Sequence, residues 1–373
     1  MSIELDAHRQ FIADRPRLDA FARAIAATVR PGDVVIDLAA GTGILGLLAC
    51  RAGAARVYSI EAGAIVGLAG ALARANGFAD RVRSVHAHSS VAELPERADV
   101  VITDQIGQFG FEAGLVETVS DVRTRLLEPG GRIVPGRVTL FLAPVEAPVF
   151  RDGLDFWSSK PAGFSFAPAQ EIAVNSGHRF RLEREQLLGA GVAGAVIDLQ
   201  TVVNAPFDCQ ATLTASRDGR LDGIGGWFVA DLADGIAMTN APGDLARIDR
   251  RNVVFPIDQP VPLRDGDAVT VSMRIRPSDL LVRWTVEVPD GRRFSHSTLG
   301  GMFILGDDLK RTHPESRPRL TGRGVARRTV LELCDGRPLD AIEREVYDRH
   351  ADLFDSEVAA QVFVAEVVTR YCV

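Results

Sequence analysis

The sequence lacks the features that would place it in several familiar classes. Its four cysteines, Cys50, Cys209, Cys334 and Cys372, stand far apart with no Cys-x-x-Cys pair. That spacing predicts neither a metal site nor a disulfide framework, and it points to a reducing compartment, the cytoplasm. Met1-Ser2-Ile3-Glu4-Leu5-Asp6 lacks the basic and apolar blocks of a signal peptide, and no run approaches the length of a membrane span. Positive charge is also in deficit, with 42 Lys plus Arg against 49 Asp plus Glu. The net charge of −7 gives no general attraction to nucleic acid, and neither nucleic acid nor membrane is an expected partner. What is present is apolar material, 46% of 373 residues, enough for two domains and a small appendage.

The chain is organised around Asp33 to Gly46, which reads as a buried strand, a glycine turn and a helix start. Gly41 and Gly43, with Thr42 between them, let backbone N–H groups approach a ligand closely ahead of a helix N-terminus. About twenty residues on, Val57 to Glu61 gives a second strand ending in an acid, suited to the hydroxyls of a ribose. Gly41-Thr42-Gly43-Ile44-Leu45-Gly46 also matches the dinucleotide fingerprint, so a nicotinamide cofactor is the rival ligand. Asp37 separates the two. A carboxylate beside the glycine loop suits the ammonium of S-adenosylmethionine and opposes a pyrophosphate.

The segment before this strand carries His8, Phe11-Ile12, Asp14 and Arg17, followed by apolar residues at helical spacing, Phe21, Ala24 and Ile25. Together with the glycine loop, this order resembles the protein arginine methyltransferase family. The resemblance implies that Arg17 holds the donor's carboxylate, that His8 lies near the donor, and that Ser89 and Ser90 sit at the adenine edge. Ala39 stands where the family has glycine, and is tolerable if its φ stays negative. The loop Asp104 to Glu112 then corresponds to the family's loop bracketed by two glutamates. Asp104 and Glu112 are the implied catalytic acids that hold and polarise an acceptor guanidinium.

Leu126 to Pro135 closes the donor-binding domain, placed at 1–140. Beyond it the hydrophobic period changes to two, as at Val269, Val271, Met273 and Ile275 and at Val282, Trp284, Val286 and Val288, which predicts an antiparallel sandwich or barrel over 141–310. The resemblance implies a dimerisation arm at about 150–180 and hence a head-to-tail homodimer. Residues 311–324 read as an Arg- and Pro-rich linker. Residues 320–373 read as a helical module, in which Leu331-Glu332-Leu333-Cys334-Asp335-Gly336 resembles small winged-helix modules that carry leader peptides.

One stretch departs from the family. Where the family has Thr-His-Trp, this chain has Ile248-Asp249-Arg250, giving Asp249 and Arg250 as candidate substrate-binding residues. The expected fold is therefore α/β, a Rossmann-like donor domain followed by an antiparallel barrel or sandwich and a helical module. The expected activity is S-adenosylmethionine-dependent N-methyl transfer to a protein, peptide or small molecule. The alternatives are a small-molecule methyltransferase with a non-guanidine acceptor and a donor-binding protein without catalysis.

Overall fold

The computed structural model of the chain describes residues 3–63, 65–301, 320, 322–354 and 356–372. It divides into two units, Met1–Phe303 and Ile304–Val373.

The first unit opens with α1 (Ile3–Ala13) and α2 (Arg15–Thr28). Asp14 caps α2 by accepting the Arg17 N–H, and Pro16 in the first turn fits where no N–H partner is needed. The predicted apolar face of α2, Phe21, Ala24 and Ile25, is fully buried. Strands β1 (Val34–Leu38), β2 (Arg56–Glu61), β3 (Val82–His86), β4 (Ala98–Thr103) and β5 (Leu127–Val134) form one parallel sheet in the order β3-β2-β1-β4-β5. Helices α3 (Ile44–Ala52), α4 (Val66–Ala75) and α5 (Leu115–Arg125) connect them. Because helices cover the sheet, β1 and β4 are near-continuous apolar runs. The strand order reverses between β1 and β4. Ligands of open α/β sheets bind at that switch point, outside the carboxyl ends of the strands.

The second part of this unit is antiparallel. Strands β6 (Arg137–Val145), β7 (His178–Phe180), β8 (Val192–Asp198), β10 (Gly219–Ala233) and β12 (Asn252–Leu263) form one sheet in the order β7-β12-β10-β6-β8, with β11 (Ile236–Thr239) paired to β10. Strands β9 (Phe207–Thr214), β13 (Ala268–Arg276), β14 (Leu281–Glu287) and β15 (Arg293–Ser297) form the other, in the order β15-β14-β13-β9. The period-two residues Val269, Val271, Met273 and Ile275 are all buried, facing Trp284 and its neighbours on β14. The Trp284 indole packs tilted against the Phe255 ring and donates to the Pro256 carbonyl at 3.0 Å, joining the two sheets. Two facing sheets make a sandwich, and no closed barrel forms among the described residues.

The stretch at 150–180 is an arm of α6 (Pro148–Asp155), α7 (Ala167–Val174) and short 3-10 turns. It exposes Phe156, Phe164, Phe166 and Ile172.

The second unit holds α8 (Gly322–Leu333), α9 (Leu339–Arg349) and α10 (Glu357–Tyr371) around Val330, Leu333, Ile342, Val346, Phe363 and Val364. No strand occurs among its described residues, so the likeness to a winged helix extends to helices alone. The predicted linker falls mostly on residues 302–319 and 321, outside the described residues. All four cysteines are free, but Cys334 and Cys372, remote in sequence, are neighbours, and burial together with the hydrogen bond between their thiols raises Cys334.

Candidate active site

A cavity lies at the switch point, walled by His8, Phe11, Ile12 and Arg17 from α1 and α2, by Ala39 to Thr42 with Ile44 and Leu45 after β1, and by Asp104 and Gln105 after β4. Six expected site residues therefore meet there: His8, Arg17, Ala39, Gly41, Thr42 and Asp104. The glycine turn is tight. Gly41 and Gly43 both have positive φ, and a Cβ on Gly41 would stand 2.7 Å from the His8 ring, so α1 is seated directly on the loop. Gly43 faces Ala69 of α4 in the same way, at 2.9 Å. Ala39 has φ +56°, so the condition under which alanine would be free of strain is not met.

Glu61 ends β2 beside this turn. One carboxylate oxygen accepts the Gly41 N–H at 3.0 Å and the other the Gly63 N–H at 2.7 Å. Each oxygen keeps a lone pair for a further donor. Arg17, 6% exposed at its side chain, donates Nε to Asp104 and one Nη1 hydrogen to the Phe11 carbonyl, leaving the other N–H groups of its fork for a ligand.

Asp37 occupies a different place from the one its sequence position suggested. It does not line the cavity. Its side chain is buried beneath α3, where Oδ2 accepts the Gly46 N–H at 2.8 Å, while Oδ1 and the neighbouring Ser59 hydroxyl have no partner among the described residues. Burial pushes the Asp37 carboxyl up to about 7, against an ordinary 3.8. Ser89 and Ser90 lie on a 3-10 turn after β3. Ser90 bonds His88 Nδ1 at 2.8 Å, and the Ser89 carbonyl accepts from Arg125.

The loop after β4 is ordered by its own acid. Glu112 is 1% exposed and accepts the backbone N–H groups of Gln108, Phe109 and Phe111. Gly107 wraps so closely around it that a Cβ there would meet the carboxylate at 2.1 Å. Asn240, fully buried, donates from Nδ2 to the carbonyls of Gln108 and Arg251 and accepts the Phe228 N–H. This asparagine ties the loop to the sandwich. Nothing in its local sequence marks it, because its partners lie 12, 11 and 132 residues away.

Arg250 and Asp249 separate. Arg250 turns inward, 7% exposed at its side chain, donating Nη2 to Asp104 Oδ2 at 3.0 Å and Nη1 to the Ile106 carbonyl at 2.6 Å. Asp104 is thus held between Arg17 and Arg250. Asp249 turns outward to pair with Arg181 at 2.9 Å and borders a second cavity of about 450 Å3 with Arg9, Arg15 and Arg247. No group of three or more potential metal ligands occurs among the described residues.

Comparison with known proteins agrees with this architecture. Residues 136–285 match the family model of the arginine methyltransferase oligomerization subdomain. The chain is 27% identical over 297 residues to protein arginine N-methyltransferase 6 of Xenopus laevis, covering 74% of this chain and 85% of that one. It is 33% identical over 223 residues to the Danio rerio protein of the same name, covering 54% and 62%. Among solved structures, a Trypanosoma brucei PRMT1 enzyme–prozyme heterotetrameric complex with AdoHcy superposes with a TM-score of 0.73 at 19% identity, covering 78% of this chain and 96% of that one. Glycine loop, sheet order, sandwich and the match at 136–285 together make this chain similar to the protein arginine methyltransferases.

Proposed function

We propose that the chain transfers a methyl group from S-adenosylmethionine to a guanidino nitrogen of an arginine-bearing acceptor. The observation that supports this most is the cavity at the switch point, where the glycine turn, the buried Arg17 and Asp104 after β4 converge, with Glu61 bonded to the Gly41 N–H behind the turn. Bound S-adenosylmethionine would supply an electrophilic methyl carbon on a sulfonium, which leaves as a thioether when nitrogen attacks. Glu61 would accept the ribose hydroxyls with its remaining lone pairs, and the free edge of Arg17 would bond the donor's carboxylate. Asp104 and the loop shaped by Glu112 would hold the acceptor nitrogen in line with carbon and sulfur, the part of the barrier that a positioned site lowers most.

The cavity holds about 120 Å3 with α1 seated, whereas pockets for drug-sized ligands run to roughly 300 Å3 or more. The donor would therefore need more room than the cavity offers, and the wall nearest the glycine turn is His8 of α1, whose ring stands where a Gly41 side chain would begin. The test is calorimetric titration of the full chain with S-adenosylhomocysteine. Glu61→Ala should weaken binding at least tenfold, and unchanged affinity would remove Glu61 from the site. Methyl-labelled donor with an arginine peptide then reads turnover. Label in the peptide supports this reading, label only in small molecules favours a biosynthetic methyltransferase, and tight donor binding with no label favours a non-catalytic partner.

The arm at 150–180 would dock head-to-tail on the donor-binding domain of a second copy through Phe156, Phe164 and Phe166, half exposed or more except Phe166 at 37%. Four free cysteines accord with a cytoplasmic setting. No helix among the described residues is long and apolar enough to cross a membrane.

A further inference from the structure

We propose that Arg250 determines acceptor selectivity by standing on Asp104 in the place of the acceptor's own guanidinium, a reading that rests on the methyl-transfer function above. Its surroundings are those that recognise a guanidinium. Asp104 accepts from both terminal nitrogens, at 3.0 Å and 3.4 Å, and the Ile106 carbonyl accepts at 2.6 Å. The rings of Phe11 and Phe228 lie 6.0 Å and 5.8 Å from the guanidinium carbon. A carboxylate, a carbonyl and two aromatic rings form a socket for a planar cation.

The socket opens beside the donor cavity, whose wall includes both Asp104 and Phe11. It is already filled by the chain itself. Arg17 takes the other side of Asp104, so two cations face one anion. Glu112 forms no ion pair with either arginine among the described residues, its carboxylate accepting three backbone N–H groups instead. A cationic acceptor must therefore displace Arg250 before it can reach Asp104, whereas an uncharged acceptor competes for nothing there. The displacement is a side-chain movement. Arg250 sits at the end of the connection between β11 and β12, two residues before Asn252 begins the strand.

Removing the side chain would leave Oδ1 of Asp104 and the Ile106 carbonyl without their donor, spaced for an incoming guanidinium. The experiment titrates an arginine peptide, and the same peptide with citrulline replacing arginine, into the full chain saturated with S-adenosylhomocysteine. Arg250→Ala should bind the arginine peptide at least tenfold more tightly than wild type, with citrulline-peptide affinity unchanged. Asp104→Asn in the same background should abolish the gain. Arg250→Met, which keeps the apolar stem between the rings, should reproduce it if the alanine variant folds poorly. Equal arginine-peptide affinity in wild type and folded variants would overturn the proposal, as would a gain shared by the citrulline peptide. Failure of both variants to fold would also overturn it, making Arg250 a structural counter-ion. Wild type that binds donor but incorporates no label would count against the proposed function and leave the affinity result standing.

Discussion

The two ends of the cavity are built from the same residue types and used differently. At the carboxyl ends of β1 and β2, Glu61 and the glycine turn meet through backbone N–H groups, and the carboxylate keeps lone pairs to spare. At the carboxyl end of β4, Asp104 is bonded by two buried arginines and Glu112 by three backbone donors. The proposed donor end keeps acceptor capacity that the chain itself does not use, whereas at the proposed acceptor end the chain's own arginines take up Asp104. The difference teaches that acids at the expected positions do not by themselves make a free cation site; their existing partners decide what can enter.

The largest perturbation of this contrast comes from Asp104→Asn. It leaves Arg17 and Arg250, 6% and 7% exposed at their side chains, without a counter-charge. Breaking a buried ion pair on one side costs about 3–5 kcal/mol, so chemical denaturation should show a loss of that order. A loss below about 1 kcal/mol would mean that solvent reaches the pair.

On the donor side, Asp37→Asn sharpens the comparison through pH. The folded chain holds the Asp37 proton up to about 7, against 3.8 ordinarily. Below the lower value both states carry the proton and the contribution is fully present. As pH rises toward 7 the unfolded chain gives up its proton first, so stability from this group is lost through that window. Wild-type stability measured relative to the asparagine variant should fall between these pH values and level above them. A difference independent of pH would place the carboxylate in contact with water.

The smallest effect is expected at Ala39. Its φ of +56° strains an L-residue, and Ala39→Gly should raise stability by up to about 1 kcal/mol after the added freedom of the unfolded chain is counted. A thermal midpoint that falls would show that the alanine methyl packs usefully on the loop.

Much of the donor half is legible in the sequence because its logic is local. An apolar run ending in Asp37, a glycine turn and an acid at the end of the next strand are short-range patterns, and Phe21, Ala24 and Ile25 declare their face by spacing. The period of two likewise shows the antiparallel sheets, though a sandwich and a barrel share that period and only strand pairing separates them. The acceptor half is not legible in the same way. Arg250 and Asp104 are 146 residues apart, and Asn240 reaches the Gln108 carbonyl across 132. Asp37 and Glu112 are acids at the right places whose carboxyls turn to backbone N–H groups, a choice set by packing around Gly46 and Gly107. Sequence spacing locates a charge; only the fold tells which charge has already been answered.

The most direct test compares Glu61→Ala and Arg250→Ala in one assay, the kcat/KM for methyl transfer to an arginine peptide. An open donor end and a self-filled acceptor end predict opposite signs, a fall of at least tenfold for Glu61→Ala and a rise for Arg250→Ala. A fall in both folded variants would contradict the account, because Arg250 would then be assisting the acceptor it is held to compete with.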